Sequence, residues 1–178
     1  MVRLFVGLAL PAEVRRHLAL MTGGLPGARW TREDSYHLTL RFIGEVDQGL
    51  ADDIDGMLGH LSAEAFELTL SGVGFFGKAK AARALWAGVT PSAALLRLQS
   101  KIEAGLQRMS LPAEERKYTP HVTLARLRGA PAGRLEAYVA DHSRFTAGPF
   151  PVREFTLFSS FLSSSGAIHT PEATYALD

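Results

Sequence analysis

The chain predicts an α+β fold built from one strand-and-helix unit used twice, and three observations carry that reading. Apolar runs of strand length alternate with stretches whose hydrophobic residues recur every three or four positions. The segments follow the order strand, helix, strand, helix, two strands, helix, strand, helix, two strands. A tetrapeptide, His-x-Thr-Leu, stands on one strand in each half, at His37 and again at His121.

Each element has its own warrant. Residues 2–9 (VRLFVGLA) form a strand closed by Pro11, which suits the first turn of a helix. Val14, Leu18 and Met21 line one face of that helix, and Gly23, Gly24, Pro26 and Gly27 end it. Residues 36–43 (YHLTLRFI) alternate like a half-buried strand and stop at Gly44. Helical spacing returns at Leu50, Ile54, Met57 or Leu58, and Leu61. Residues 66–76 and 84–89 read as two strands around a Gly- and Lys-bearing turn, after which Pro91 opens the longest helix. Its stripe is Leu95, Leu98, Ile102, Leu106 and Met109. A strand at 121–127, a helix near 133–141 and strands near 152–161 and 168–177 complete the chain, the last two joined by the turn SSSGA.

The 178 residues suffice for one domain, residues 1–178, with a real core. Hydrophobic residues make up 47% and charged ones 21%, far from the profile of disorder. A net charge of +1 means that any anion must be met by local rather than overall positive charge. The absence of cysteine excludes disulfides, thiol nucleophiles and zinc thiolates. No apolar run is long enough to span a bilayer and no leader pattern stands at the start, so a cytoplasmic, membrane-free monomer is expected.

Strand alternation puts His37 and Thr39 on one face, with Leu38 and Leu40 on the other. His121 and Thr123 stand likewise against Val122 and Leu124. Two such faces meeting across a groove would combine two imidazoles with two hydroxyl donors. That set suits the opening of a cyclic phosphodiester, which needs a base for the attacking water and an acid for the departing ribose oxygen. Histidine alone has an unperturbed pKa that lets one copy be neutral and another charged near neutrality. The threonines would hold the non-bridging oxygens. Neither metal nor cofactor is required, and no metal-ligand spacing such as H-E-x-x-H occurs. Two of six histidines falling in this context by chance has odds on the order of 10⁻³ with ordinary residue usage. His17, His60, His142 and His169 lack the context and read as solvated helix or loop residues.

With both motifs in view the chain resembles the RNA 2′,3′-cyclic phosphodiesterase (2′-5′ RNA ligase) family of two-histidine phosphoesterases. The likeness rests on RLFVGLALP, on ARW before HLTLRFIGEV, on GVGFF and ALWAGV, on RKYTPHVTLARL and on the final TLFSSFLSSSGAIHTPEATYAL, in that order. It implies a bilobed fold with pseudo-twofold symmetry, an antiparallel-rich sheet in each lobe facing a central cleft, and helices outside. It also implies hydrolysis of RNA 2′,3′-cyclic phosphate ends to 2′-phosphates, with reversible 2′-5′ joining in some members; tRNA fragments are one candidate substrate on this reading. His37 and His121 would be the acid and base pair, with Thr39 and Thr123 as phosphate donors; the favoured division has His37 protonating the leaving 3′ oxygen and His121 activating water, and the residues leave the opposite division open. Arg126, five residues after His121, would take a phosphate role, although strict alternation turns it away from His121. Arg41 has the right parity with His37 and is a weaker candidate. The ending HTPEATYAL departs from the shorter, Gly-Pro-containing turn usual in the family.

Two rival readings are a phosphodiesterase for small cyclic nucleotides or 2′-5′ oligoadenylate, and an RNA-end binding module with little turnover. The formal G-x-G-x-x-G at residues 72–77 reads as strand, since no helix or acidic residue follows where a dinucleotide fingerprint needs them. Lys78, Lys80 and Arg83 form a solvated basic run that could touch RNA. Trp30, Phe42 and Tyr118 flank the motifs as core residues or stacking surfaces.

Overall fold

The computed structural model describes all 178 residues, Met1–Asp178. The elements are β1 (Val2–Ala9), α1 (Ala12–Ala19), β2 (Ala28–Trp30), β3 (His37–Val46), α2 (Gln48–Gly59), β4 (Phe66–Phe75), β5 (Ala84–Val89), α3 (Ala93–Arg108), β6 (His121–Leu127), α4 (Ala132–Asp141), β7 (Thr146–Val152), β8 (Glu154–Ser163) and β9 (Gly166–Ala176). They form two antiparallel sheets, one ordered β3-β1-β8-β9 and the other β2-β6-β5-β4-β7.

The two sheets repeat one plan: β3, β1 and β8 correspond to β6, β5 and β4. The exchange of strands is reciprocal, because β4 leaves the first half to pair with β5 while β8 leaves the second to pair with β1. Helices α2 and α3 lie against the first sheet, and α1 and α4 against the second. A single cluster of 36 buried residues joins these layers. It holds Leu4, Val6 and Leu8 of β1, Leu38 and Leu40 of β3, and Val122 and Leu124 of β6. Burying a Leu or Ile side chain contributes roughly 1.5–3 kcal/mol, so this face of each motif strand fixes which way the other face looks.

Helix starts follow local chemistry. The Asp47 carboxylate accepts from Leu50 N–H at 2.8 Å and the Ser92 hydroxyl from Leu95 N–H at 3.2 Å, each satisfying an otherwise unpaired donor. Two strands escaped the sequence reading. β2 has three residues, too few for a period, and β7 (TAGPFPV) carries two prolines, which the sheet tolerates because β7 is an edge. Gly44 does not stop β3; it adopts φ +92° inside the strand, where Ile43 has no partner across from β1.

One bulge recurs. Opposite β1, Gly7 pairs with Thr39 and Val6 with Arg41, leaving Leu40 unpaired. Opposite β5, Trp86 pairs with Thr123 and Leu85 with Ala125, leaving Leu124 unpaired. The last residue of each tetrapeptide is therefore the extra one, and it reverses alternation beyond it.

In the first lobe the reversal turns Arg41 away from His37. The Arg41 side chain is 10% exposed and hydrogen-bonds the Glu103 carboxylate on α3 together with the carbonyls of Phe42 and Pro112. Glu103 also accepts from Gln107 at 2.9 Å and from Glu114 N–H at 3.0 Å. Burial pushes the Glu103 carboxyl up, but these donors and the guanidinium outweigh it and hold the group below its ordinary 4.5. Arg41 is thus a latch between β3, α3 and the loop after α3, and the cleft role considered for it does not hold.

Removing one partner of a buried ion pair costs about 3–5 kcal/mol, and less where water reaches the pair. Arg41→Met should therefore lower unfolding stability at pH 7 by at least about 2 kcal/mol, measured by urea titration. A depressed carboxylate stabilises above its unfolded pKa and ceases to do so as pH falls through the folded value. The difference between wild type and Arg41→Met should accordingly shrink below pH 4.5; a difference that persists in acid would show that packing, not charge, is involved.

Candidate active site

β1 and β5 report the same face along the two motif strands. Ala9, Gly7 and Phe5 of β1 stand opposite His37, Thr39 and Phe42. Gly88, Trp86 and Ala84 of β5 stand opposite His121, Thr123 and Arg126. Strand partners share a face, so each lobe presents a histidine, a threonine and the residue five after the histidine on the side away from the core. The Leu124 bulge is what brings Arg126 to this face, against its parity. Both positions five after a histidine are exposed, one an arginine and the other Phe42.

The two faces are tied together crosswise. Tyr118, which leads into β6, donates its hydroxyl to the Thr39 carbonyl at 2.8 Å. Thr31, which leads into β3, donates its hydroxyl to the Thr123 carbonyl at 3.1 Å and its N–H to the Leu124 carbonyl at 2.9 Å. Strands β3 and β6 consequently lie against each other, near enough for the two motif histidines to influence one another electrostatically.

Each imidazole is oriented in the same way. His37 Nδ1 donates to the Ser35 carbonyl at 2.8 Å, and His121 Nδ1 to the Thr119 carbonyl at 2.7 Å. A carbonyl only accepts, so Nδ1 carries the hydrogen and Nε2 is the nitrogen left for chemistry. The carbonyl lies two residues before the histidine in both lobes. A 3₁₀ turn, Glu33–Ser35, sets it in the first; in the second, Pro120 holds Thr119 extended. His37 Nε2 is 3.1 Å from the Thr39 hydroxyl.

The surroundings differ between the lobes. Phe5 and Phe158 are buried yet lie outside the main core cluster, because they pave the cleft side of the first sheet. Phe5 lies 4.8 Å from the His37 ring and stacks on Phe158 at 4.9 Å. Burial is the largest influence on His37; with smaller contributions from His169 and His121 it outweighs the Ser35 carbonyl and brings the pKa from 6.5 down to about 4. His37 is neutral at pH 7 in the free protein. In the second lobe Phe76, half exposed, meets the His121 ring edge-on at 5.2 Å, and Trp86 lies at 6.0 Å. Gly74 leaves room for that indole: a Cβ there would fall 2.7 Å from it.

His169, read as solvated, instead packs its ring 4.9 Å from His37 and 5.0 Å from Phe5. A further bulge sets its direction. Phe158 pairs with Pro171 and Leu157 with Ala173, so Glu172 is extra and His169, opposite Ser160, turns to the cleft. Pro171 inside a strand was the available signal, since proline in a sheet marks an edge or a bulge. Of the other histidines, His142 stacks on Tyr138 at 4.0 Å and His17 meets Phe145 edge-on at 5.0 Å, so neither is merely solvated.

Arg29 of β2 was not singled out either. It stands directly opposite Arg126, both are exposed, and neither has an acidic partner within ion-pair distance. Like charges placed opposite one another in a sheet are unfavourable unless an anion joins them. Gly166, the first residue of β9, comes close to the Arg29 guanidinium; a Cβ there would lie 3.6 Å from it. Of the flanking aromatics, Trp30 packs on Tyr138 at 5.7 Å, Tyr118 is the clamp described above, and Phe42 is the exposed one. Lys78, Lys80 and Arg83 are exposed around the 3₁₀ turn Ala79–Ala81. No group of three His, Asp or Glu side chains is arranged to hold a metal ion, and no helix is long and apolar enough to cross a membrane.

The profile of the 2′-5′ RNA ligase superfamily matches residues 26–160. An RNA 2′,3′-cyclic phosphodiesterase of Aeropyrum pernix is 33% identical over 150 residues, 82% of this chain and 84% of that protein. One of Escherichia coli is 31% identical, over 98% and 96% of the two chains. Among solved structures, TT0787 of Thermus thermophilus superposes with a TM-score of 0.80 at 28% identity, covering 98% of this chain and 97% of its own. Escherichia coli LigT complexed with 3′-AMP gives 0.77 at 28% identity, covering 99% and 98%. With the matched span enclosing both motif strands and the relatives aligned along most of their length, the chain belongs to the 2′-5′ RNA ligase superfamily.

Proposed function

We propose that the protein hydrolyses RNA 2′,3′-cyclic phosphate ends to 2′-phosphates, with His37 and His121 as the acid and base. The reading is carried by one observation: two imidazoles with Nδ1 bound to a carbonyl, which leaves Nε2 as the nitrogen for chemistry, on two faces that meet. Water attacks phosphorus as His121 Nε2 takes its proton. The bond from phosphorus to the ribose 3′ oxygen breaks, and His37 Nε2–H supplies the proton that this oxygen needs. The hydroxyls of Thr39 and Thr123 and the guanidinium of Arg126 hold the non-bridging oxygens, where donors aimed at developing charge act most strongly.

His37 must be charged to serve as the acid, yet it is neutral in the free protein near pH 7. The substrate supplies the remedy, because a phosphodiester monoanion beside the ring favours the imidazolium. Binding therefore takes up a proton. RNA is favoured over a lone cyclic nucleotide because Arg29, opposite Arg126, adds a second exposed guanidinium that a further phosphate of a chain could neutralise. That second guanidinium speaks for a polyanion over 2′,3′-cyclic mononucleotides as the natural substrate.

His37→Ala and His121→Ala should each fold normally and lose at least about 10²-fold in turnover of a 2′,3′-cyclic nucleotide, the lower range for one acid or base. Full activity in either would refute the roles. Phosphorus NMR should identify a 2′-phosphate product, and turnover should survive EDTA. In His121→Ala, affinity for the cyclic monoanion should weaken as pH rises above about 4, by up to tenfold per pH unit for one linked proton. The double variant with His37→Ala should lose that slope; a flat profile in His121→Ala itself would contradict substrate-driven charging of His37.

Arg29→Gln should weaken binding of a short RNA bearing the cyclic end at least threefold more than binding of the mononucleotide. It should also flatten the salt dependence of RNA binding, by about one counterion in slope. Equal losses on both substrates would remove the argument for a chain.

A further inference from the structure

β9 brings a third imidazole to the cleft that the reaction above leaves unused. His169 shares its sheet face with Ser160 and Phe158 and touches both His37 and Phe5. Its Nδ1 is shut away from solvent with no hydrogen-bond partner, whereas Nε2 is not. That asymmetry selects a tautomer. A hydrogen on Nδ1 would be a buried donor without an acceptor, so the ring is best served by leaving Nδ1 bare and carrying its hydrogen on Nε2. Burial points the same way, since it lowers the His169 pKa and favours the neutral ring. His37 works through an Nε2 held by its own Thr39, and its other nitrogen is committed to Ser35. Neither nitrogen of His37 is available to His169, so an Nε2–H of His169 has no protein acceptor.

We infer that His169 is a third substrate-contacting histidine, a neutral donor whose Nε2–H meets an oxygen of the bound phosphate beside His37. This rests on the phosphodiesterase reading and adds a residue to it. The donor comes from β9 at the far edge of the first sheet, so the β8–β9 hairpin serves as one wall of the phosphate site. The same hairpin meets Arg29 of the other lobe through Gly166. A phosphate gripped by Thr39, Thr123 and Arg126 would then meet a fourth donor group from a separate strand. A neutral donor suits this place, because a second fixed cation beside His37 would oppose the charging of His37 itself.

Two substitutions separate donation from packing. His169→Phe keeps an aromatic ring against Phe5 and removes the donor; His169→Gln loses the ring but carries an amide N–H at about the reach of Nε2. Inorganic phosphate binding by calorimetry and kcat/KM on a 2′,3′-cyclic nucleotide are both measured, with thermal unfolding to verify folding. The expected result is a loss of roughly tenfold or more in both for His169→Phe, the scale of one donor to a charged oxygen. His169→Gln should recover to within about threefold of wild type. A packing role predicts the reverse order, with Phe active and Gln impaired. Wild-type phosphate affinity in His169→Phe, or Gln no better than Phe, would overturn the inference. If the wild type fails to turn over cyclic phosphates, the proposed function falls, while the phosphate titration still decides whether His169 is a donor.

Discussion

The extra leucine in each motif strand is the constraint on which the site depends. A β-strand repeats every two residues, so a histidine and the residue five beyond it belong on opposite faces unless something breaks the count. Leu40 and Leu124 break it, each unpaired opposite a neighbouring strand yet buried in the core. Because both flanking side chains of the bulge are apolar in the second lobe, Leu124 and Ala125 sit together in the interior and Arg126 emerges beside Thr123. In the first lobe the residue after the bulge is Arg41. Sent toward the helices, it is satisfied there by Glu103 and two carbonyls. The same backbone irregularity thus yields a cleft arginine in one lobe and a structural latch in the other, and the difference lies wholly in the residues placed on it.

Two further contacts make the faces meet at a defined separation. The carbonyls of Thr39 and Thr123 each accept a hydroxyl from the segment that leads into the opposite motif, Tyr118 in one direction and Thr31 in the other. The two motif threonines are therefore fixed through their own backbones by the other lobe. Preorganisation of this kind matters because misplacing reacting groups by even about an ångström costs rate steeply. The carbonyls of Ser35 and Thr119 complete the arrangement by fixing the tautomer and ring plane of each histidine.

Much of this was legible in the residues, for reasons that can be traced. Long periodic segments such as the stripe from Leu95 to Leu106, and the strand 84–89, stand where the spacing puts them, because burial of one face enforces the period. What escaped was whatever broke a period. Arg41 was placed on the cleft and Arg126 opposite it by counting in twos through bulges that no local residue type announces, since leucine is not a bulge residue. His169 was set aside because it lacks the His-x-Thr-Leu context, and the extra Glu172 that turns it to the cleft was hinted at only by Pro171. β7 was hidden by its prolines, and Arg29 by the shortness of β2, which gives it meaning only through its partner Arg126. Non-local pairing, rather than propensity, held the missing information.

A pseudo-twofold scaffold raises a difficulty that the surroundings resolve. Opening a cyclic phosphate requires opposite proton movements at its two sides, whereas symmetry offers two equivalent histidines with the same carbonyl anchor and the same threonine. The lobes must therefore be made unequal by what surrounds the rings. Phe5, Phe158 and His169 enclose His37 and suppress its charge, while His121 faces the half-exposed Phe76 and shares its strand with Arg126. In the proposed reaction the anion enters from the side of the arginines and delivers to His37 the stabilisation that its own lobe withholds, so His37 becomes an acid only when a bound phosphodiester brings the ribose 3′ oxygen that will take its proton. On that proposal, desolvation of one imidazole and a cation on the strand of the other are what set the acid apart from the base in a duplicated strand.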